Sequence, residues 1–263
     1  MQRLTAPAIA QMKGREKIVM VATYDFLTAG LAEEAGVEMI LVGDSVANVM
    51  LGYENTLPVT MEEMLHHTKA VVRATKRSLV VGDMPFLSYQ ASEEEAIRNA
   101  GRFLKEAGAQ AVKVEGGREV VDKVEAIVEQ GIPVMGHLGL TPQKIHQLGG
   151  YKVVGREEEV AERLVEEAKD LERAGIFSLV LECVPWQLAK RLTQELRIPT
   201  IGIGAGPYCD GQVLVLHDLI GLTLHAPKFV KRYANLREEV LRCLREFKKE
   251  VKEGKFPTLE QSY

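Results

Sequence analysis

Short apolar runs alternate with longer stretches of helical spacing from one end of the chain to the other. The runs are ILVGDS (40–45), SLVVGD (78–83), AVKVEGG (111–117), PVMGHLG (133–139), SLVLEC (178–183) and PTIGIGAG (199–206). Each is too short for a helix, is rich in β-branched residues and is bounded by Gly or Pro, so each predicts a buried strand. KIVMVATY (17–24) and VLVLHDLIGL (213–222) bring the predicted strands to eight. Apolar residues recur at helical spacing in the segments between, as in 59–75, 92–108 and 156–175. Eight such βα units in 263 residues predict an α/β fold, a (β/α)8 TIM barrel forming one domain over 1–263. An open doubly wound sheet fits less well. Its glycine-rich turn belongs after the first strand, whereas GIGAG follows the seventh and lacks the GxGxxG spacing of a dinucleotide site.

The ends carry the remaining elements. TAPAIAQMKGRE (5–16) predicts a short N-terminal helix closing the barrel floor, with Thr5 as N-cap and Gly14 as its end. In the tail, Leu236, Val240, Leu244, Phe247 and Val251 mark one face of a helix over 236–254, a C-terminal extension for packing on the barrel or on a neighbouring subunit. The basic cluster KFVKRY (228–233) reads as a helix face.

A formal net charge of −4 with both signs interleaved gives no electrostatic reason to bind nucleic acid. No segment approaches the ~18 consecutive apolar residues of a membrane span, so a cytoplasmic protein with no membrane partner is expected. Cys183, Cys209 and Cys243 are odd in number and outside any CxxC spacing, which supports neither a disulfide framework nor a zinc site.

The chemistry lies at the strand ends. Asp44, Asp83, Lys113, Glu115, His137 and Glu182 each stand at or just past the end of an apolar run. In a parallel barrel these ends open on one face, so the six side chains converge there. Lys113 and Glu115 are two apart and share a face of their strand, while Val112 and Val114 turn to the helices. Three carboxylates from three strands, Asp44, Asp83 and Glu115, suit a hard divalent cation, with Mg²⁺ the first choice; the bland alternative is that individual acids cap the following helices. Glu182 ends an otherwise apolar strand, where desolvation suits it to act as a general base. A base beside a Lewis acid points to enolisation of a 2-oxo acid, with Lys113 offsetting the charge of the bound acid. His137 reads either as a buried, hydrogen-bonded histidine or as a substrate contact. GIGAGPYCDGQ (202–212) reads equally as a phosphate-binding loop and as a tight turn with close backbone approach.

These residues stand in a series of long motifs in fixed order: TYDFLTAGLAEEAG, LVGDSVANVMLGYENTLPVTMEEMLHHTKAV, VGDMPFLSY, VKVEGG, GHLGLTPQ, LVLECVP and IPTIGIGAGPYCDGQVLVLHDLIG. From about Thr5 to Ala234 the chain resembles the 3-methyl-2-oxobutanoate hydroxymethyltransferase (ketopantoate hydroxymethyltransferase) family. That resemblance implies a barrel of the phosphoenolpyruvate-binding type and a metal-dependent one-carbon transferase of pantothenate and coenzyme A biosynthesis. Such an enzyme moves a hydroxymethyl group from 5,10-methylenetetrahydrofolate to 3-methyl-2-oxobutanoate by Mg-assisted enolisation and C–C bond formation, giving 2-dehydropantoate and tetrahydrofolate. By motif, Asp44, Asp83 and Glu115 match the Mg²⁺ site, with one ion per subunit, Asp44, Ser45, Asp83 and Lys113 the oxo acid contacts, and Glu182 the proton acceptor. The resemblance also implies a homo-oligomer, commonly a decamer. Ser45 and the folate co-substrate come from the resemblance alone. Two other readings stay open: a folate-independent lyase or phosphomutase on the same barrel, and a non-catalytic scaffold.

Overall fold

The computed structural model describes residues 3–263. Its chain divides into two compact units, one reaching to Val215 and the other Leu216–Tyr263. In the first, β1 (Ile18–Ala22), β2 (Met39–Val42), β3 (Leu79–Asp83), β4 (Ala111–Glu115), β5 (Val134–Gly139), β6 (Ser178–Glu182), β7 (Thr200–Ile203) and β8 (Gly211–Val215) close into a barrel in sequence order. Every neighbouring pair is parallel, including β8 with β1. The (β/α)8 reading is therefore borne out.

Alternate residues of each strand point inward, and this parity separates structure from chemistry. Ile18, Met20, Met39, Leu41, Leu79, Val81, Ala111, Met135, Val180, Ile201 and Val213 form one buried apolar cluster, filled from below by Ala6, Ile9 and Met12. Burying each of the larger side chains contributes about 1.5–3 kcal/mol relative to leaving it exposed. Two residues further along the same faces stand Asp83 after Val81, Lys113 after Ala111, His137 after Met135 and Glu182 after Val180. The polar layer thus rests directly on the apolar one.

The floor helix is shorter than its sequence predicts. It spans Ala6–Ala10, with Thr5 Oγ1 accepting from Ala8 N–H, and the chain then turns through Gly14 in the left-handed region (φ 69°). The wall helices start where their capping residues place them. Met61–Ala74 opens with a reciprocal Thr60–Glu63 capping box, and Glu93–Lys105 with Ser92 accepting from Glu95 N–H. Glu158–Arg173 follows the predicted third helix closely.

Three expectations are corrected. The eighth strand lies earlier than 213–222: it covers Gly211–Val215, and Leu216–Leu219 is a helical turn that buries His217. An apolar run this short fits either period, and here its second half took the helical one. Strands β7 and β8 are joined without a helix, by the irregular segment 204–210, so the alternation of strand and helix fails at this one step. The basic cluster at 228–233 is no helix face, for it follows Pro227 in a turn closed by Val230 N–H to Pro227 O.

In the second unit the predicted tail helix runs from Leu236 to Lys252, and its apolar stripe is exposed, from 39% at Leu236 to 58% at Leu244. Phe247 meets Phe256 edge to face at 5.3 Å between ring centres. Among the described residues no helix is long and apolar enough to cross a membrane.

Candidate active site

Strand register alone aligns the charged residues. Asp83 at the end of β3 pairs with Lys113 on β4, Glu115 on β4 with His137 on β5, and Gly139 on β5 with Glu182 on β6. Contacts follow in the same order. Lys113 Nζ lies 2.9 Å from Asp83 Oδ1 and 3.2 Å from Glu115 Oε1. His137 Nδ1 lies 3.3 Å from Glu115 Oε1, and its Nε2 lies 3.1 Å from Glu182 Oε2. Asp44, just past β2, joins through its backbone N–H, which donates to Asp83 Oδ2 at 2.9 Å. Asp44, Asp83 and Glu115 are all buried, and each offers a carboxylate oxygen within 4.8 Å of the others. Neither Asp44 nor Asp83 caps the helix after its strand, which removes the bland reading for those two.

Electrostatics divides the acids. Burial, then the charges of Asp83 and Glu115, pushes the Asp44 carboxyl well above the usual range. Burial also raises Asp83, against the pull of Lys113. Burial works to raise Glu115 as well, but Lys113 and then His137 outweigh it and hold that carboxyl at about 2. For His137, burial and the Lys113 charge favour the neutral ring, yet Glu115 and Glu182 prevail and hold it up at about 9. The surrounding carboxylates thus favour the protonated imidazole. Its Nδ1 lies within hydrogen-bonding distance of Lys113 Nζ, at 3.2 Å, and 3.3 Å from Glu115 Oε1. Lys113 is held above its ordinary value by the surrounding acids despite full burial. Glu182 differs from the trio in access: its side chain is 16% exposed against 2% for Asp83 and Glu115, so among these acids it faces the opening. It also sits in a more polar setting than its apolar strand implies, because His137 adjoins it.

Three residues that sequence reasoning did not single out support this constellation. Tyr24, fully buried, has its hydroxyl 2.8 Å from Ser45 Oγ. Tyr89 and Gln143, both buried, bond to one another; Tyr89 also bonds to the backbone of Glu115, and the backbone N–H of Gln143 donates to the Glu115 carboxylate. The available signal for Gln143 was its place in GHLGLTPQ, a loop leaving the C-terminal end of β5, where barrels keep their functional loops.

The backbone adapts around Glu182. Gly139 adopts φ 98°, and a Cβ there would lie 2.2 Å from Glu182 O, the carbonyl that accepts from Leu140 N–H at 2.8 Å. Cys183 takes a left-handed φ of 49°, and burial followed by the Glu182 charge raises its thiol to about 11, which disfavours the thiolate. Gly206 in GIGAG has φ 81° and no room for a side chain, with Trp186 Cβ 2.5 Å from the position of a Cβ. Close backbone approach accounts for that glycine.

A family model described as ketopantoate hydroxymethyltransferase matches residues 3–259. The chain belongs to this family. Ketopantoate hydroxymethyltransferase relatives share most of its length. A 3-methyl-2-oxobutanoate hydroxymethyltransferase from Moorella thermoacetica is 59% identical over 99% of this chain and 98% of its own. One from Syntrophomonas wolfei is 56% identical over 100% of this chain and 96% of its own. The fold is that of more distant structures too. Phosphonopyruvate hydrolase superposes with a TM-score of 0.67 at 13% identity, covering 100% of this chain and 92% of the other. A 2,3-dimethylmalate lyase of the PEP mutase/isocitrate lyase superfamily gives 0.62 at 18% identity, over 98% and 91%.

Proposed function

We propose that this chain transfers a hydroxymethyl group from 5,10-methylenetetrahydrofolate to 3-methyl-2-oxobutanoate, forming 2-dehydropantoate and tetrahydrofolate on the route to pantothenate. That it is a hydroxymethyltransferase follows from its family. The observation that supports the reaction in detail is the buried acid trio beside a carboxylate open to the mouth.

The trio fits a hard divalent cation. Three buried carboxylates stand against one lysine and one histidine, and Asp44 and Asp83 are raised by burial and then by the neighbouring acids, a cost that a divalent cation would relieve. Oxygen donors without thiolate favour Mg²⁺ over softer metals. Asp44, Asp83 and Glu115 would hold it, and when bound it supplies electrophilic charge for the carboxylate and keto oxygens of the oxo acid. Lys113 offsets the remaining charge of that acid. Asp44, Ser45, Asp83 and His137 complete the contacts around it, Ser45 held in place by Tyr24. Glu182 takes the proton from C3, and the carbon so exposed bonds to the methylene carbon of the folate donor; the two bonds from that carbon to the folate nitrogens break, water supplies the hydroxyl oxygen, and the nitrogens take up the proton from C3 and one from water as tetrahydrofolate leaves. The ring of His137, 3.1 Å from the Glu182 carboxylate, adjoins that base. The enzyme works in the cytoplasm as a homo-oligomer, for which its exposed apolar residues, Leu27 and Leu31 among them, provide surface.

The test is proton NMR of 3-methyl-2-oxobutanoate in D₂O with enzyme and Mg²⁺, before and after adding the folate. Mg²⁺-dependent loss of the C3 signal, then folate-dependent 2-dehydropantoate, is the expected result. Exchange without product would leave an enolising site with another electrophile, and no exchange at all would reject the proposal.

A further inference from the structure

We infer that Gln143 is the positioning residue of the acid trio: one buried amide and its own backbone N–H set the separation of Asp44 and Glu115. The inference rests on the reading of that trio as a cation site. Gln143 is 4% exposed and stands in the short turn Pro142–Lys144 that follows β5. Every hydrogen-bonding position of its amide is used. Nε2 donates to Asp44 Oδ2 at 3.1 Å and to Met84 O at 3.0 Å, while Oε1 accepts from Tyr89 OH at 2.8 Å and from Gln90 Nε2 at 3.1 Å. Its backbone N–H donates to Glu115 Oε2 at 3.2 Å.

This pattern fixes which way the amide points. Turned over, it would face its oxygen toward the Asp44 carboxylate and the Met84 carbonyl, and its NH₂ toward the NH₂ of Gln90. It also spans the segments leaving β2, β3 and β4, the three strands whose ends carry the trio. Tyr89 braces it from behind, accepting from Glu115 N–H at 3.2 Å through the oxygen that donates to Gln143.

The neutrality of the donor matters. Three acids within 4.8 Å repel one another, and something must hold them together before a cation arrives. A lysine or arginine at this position would hold them by neutralising them, and would compete with the cation for the same oxygens. An amide fixes their positions while leaving their charge available. Residues that orient metal ligands in this way typically account for 10–100-fold in affinity, by about the same order here.

Full-length wild type, Gln143→Met and Tyr89→Phe would be titrated with Mg²⁺ alone by calorimetry, and kcat and KM for the oxo acid then measured as a function of Mg²⁺. Methionine keeps the length of the side chain and removes its polar atoms. The expected result is an Mg²⁺ affinity weaker by about 10–100-fold in Gln143→Met and by about 3-fold in Tyr89→Phe, with much of the lost kcat recovered at high Mg²⁺. Wild-type Mg²⁺ affinity in Gln143→Met overturns the inference, as does a fall in kcat that no Mg²⁺ concentration restores. Should Gln143→Met lack a folded circular dichroism spectrum, Tyr89→Phe decides, and unchanged affinity there overturns the inference. Wild-type protein that binds no Mg²⁺ brings down the cation reading itself, an outcome distinct from variants that match a wild type that binds.

Discussion

At the floor of the barrel Glu33 accepts from three successive backbone N–H groups, those of Lys76, Arg77 and Ser78, at 2.9, 2.6 and 3.0 Å. Burial works to raise its carboxyl, but the N–H groups of Ser78, Lys76 and Arg77 outweigh it and hold the group at about 2. Asp210, also at the floor, is matched in the same manner, by Thr200 N–H at 2.9 Å and Lys13 Nζ at 2.8 Å. At the mouth the same functional group is treated in the opposite way. Asp44, Asp83 and Glu115 are packed together out of solvent, and burial first, then the charges of the neighbouring acids, drives up Asp44 and Asp83. An ionised acid at the floor stabilises the fold, whereas ionised Asp44 at the mouth costs stability until something positive arrives. The difference marks the end of the barrel at which charge is kept for use.

The sharpest break in this comparison comes at the acid open to the mouth. Glu182→Gln removes the proposed base and leaves the shape of the site, so turnover should fall by about 10²–10⁴-fold while oxo acid binding stays within a few-fold. Deuterium exchange at C3 reads this directly. Wild-type exchange in the variant would assign the base elsewhere.

Asp44→Asn tests whether the mouth is strained by its own charge. Because Asp44 is held above the usual carboxylate range, its charged form is the one the fold disfavours, and a neutral amide removes that cost. The cation-free variant should melt a few degrees higher, roughly 1–2 kcal/mol, while Mg²⁺ affinity falls by more than the ~10–100-fold of losing a supporting hydrogen bond. A lower melting temperature would place Asp44 with the floor acids instead.

Glu33→Gln should act in the reverse sense. The folded carboxyl is lowered from its ordinary 4.5 to about 2, so its contribution is present above about 4.5 and is lost as pH falls through that interval. The group is only part-buried, and solvent screening puts the cost of the substitution near 1–2 kcal/mol at neutral pH. Urea unfolding at pH 7 and pH 3 checks the sign: the gap between variant and wild type should narrow at the lower pH. A constant gap would mean that Glu33 works through packing alone.

What was legible in the amino-acid order follows the same division. Charge at the end of an apolar run is conspicuous, and parallel strands with a pleat of two bring such charges together, so Asp44, Asp83, Lys113, Glu115, His137 and Glu182 stand out. Glu33 does not, since it resembles any acid on an outer helix and its partners lie 43 to 45 positions away. Tyr24, Tyr89 and Gln143 are neutral and carry no periodic mark; their roles exist only once β1, β3 and β5 are neighbours of the site. The eighth strand was misplaced because apolar residues continue from it into a helical turn, and nothing in composition separates the two periods over so few residues.

The smallest effect concerns Tyr24, which connects the inner wall to the site through a single hydroxyl. Its ring is fully buried and its oxygen lies 2.8 Å from Ser45 Oγ, so Tyr24→Phe removes one buried hydrogen bond and almost no packing. If Ser45 contacts the oxo acid, freeing its hydroxyl to rotate should raise KM by about 3–10-fold, the ~0.5–1.5 kcal/mol of one neutral bond, and leave kcat nearly unchanged. Steady-state kinetics at saturating folate and Mg²⁺ separate the two constants. A fall in kcat with KM constant would instead place Tyr24 with the groups around Glu182. No change in either would show that the Ser45 hydroxyl is oriented by the substrate and not by the protein, leaving the Lys113 and Asp83 contacts to position the acid.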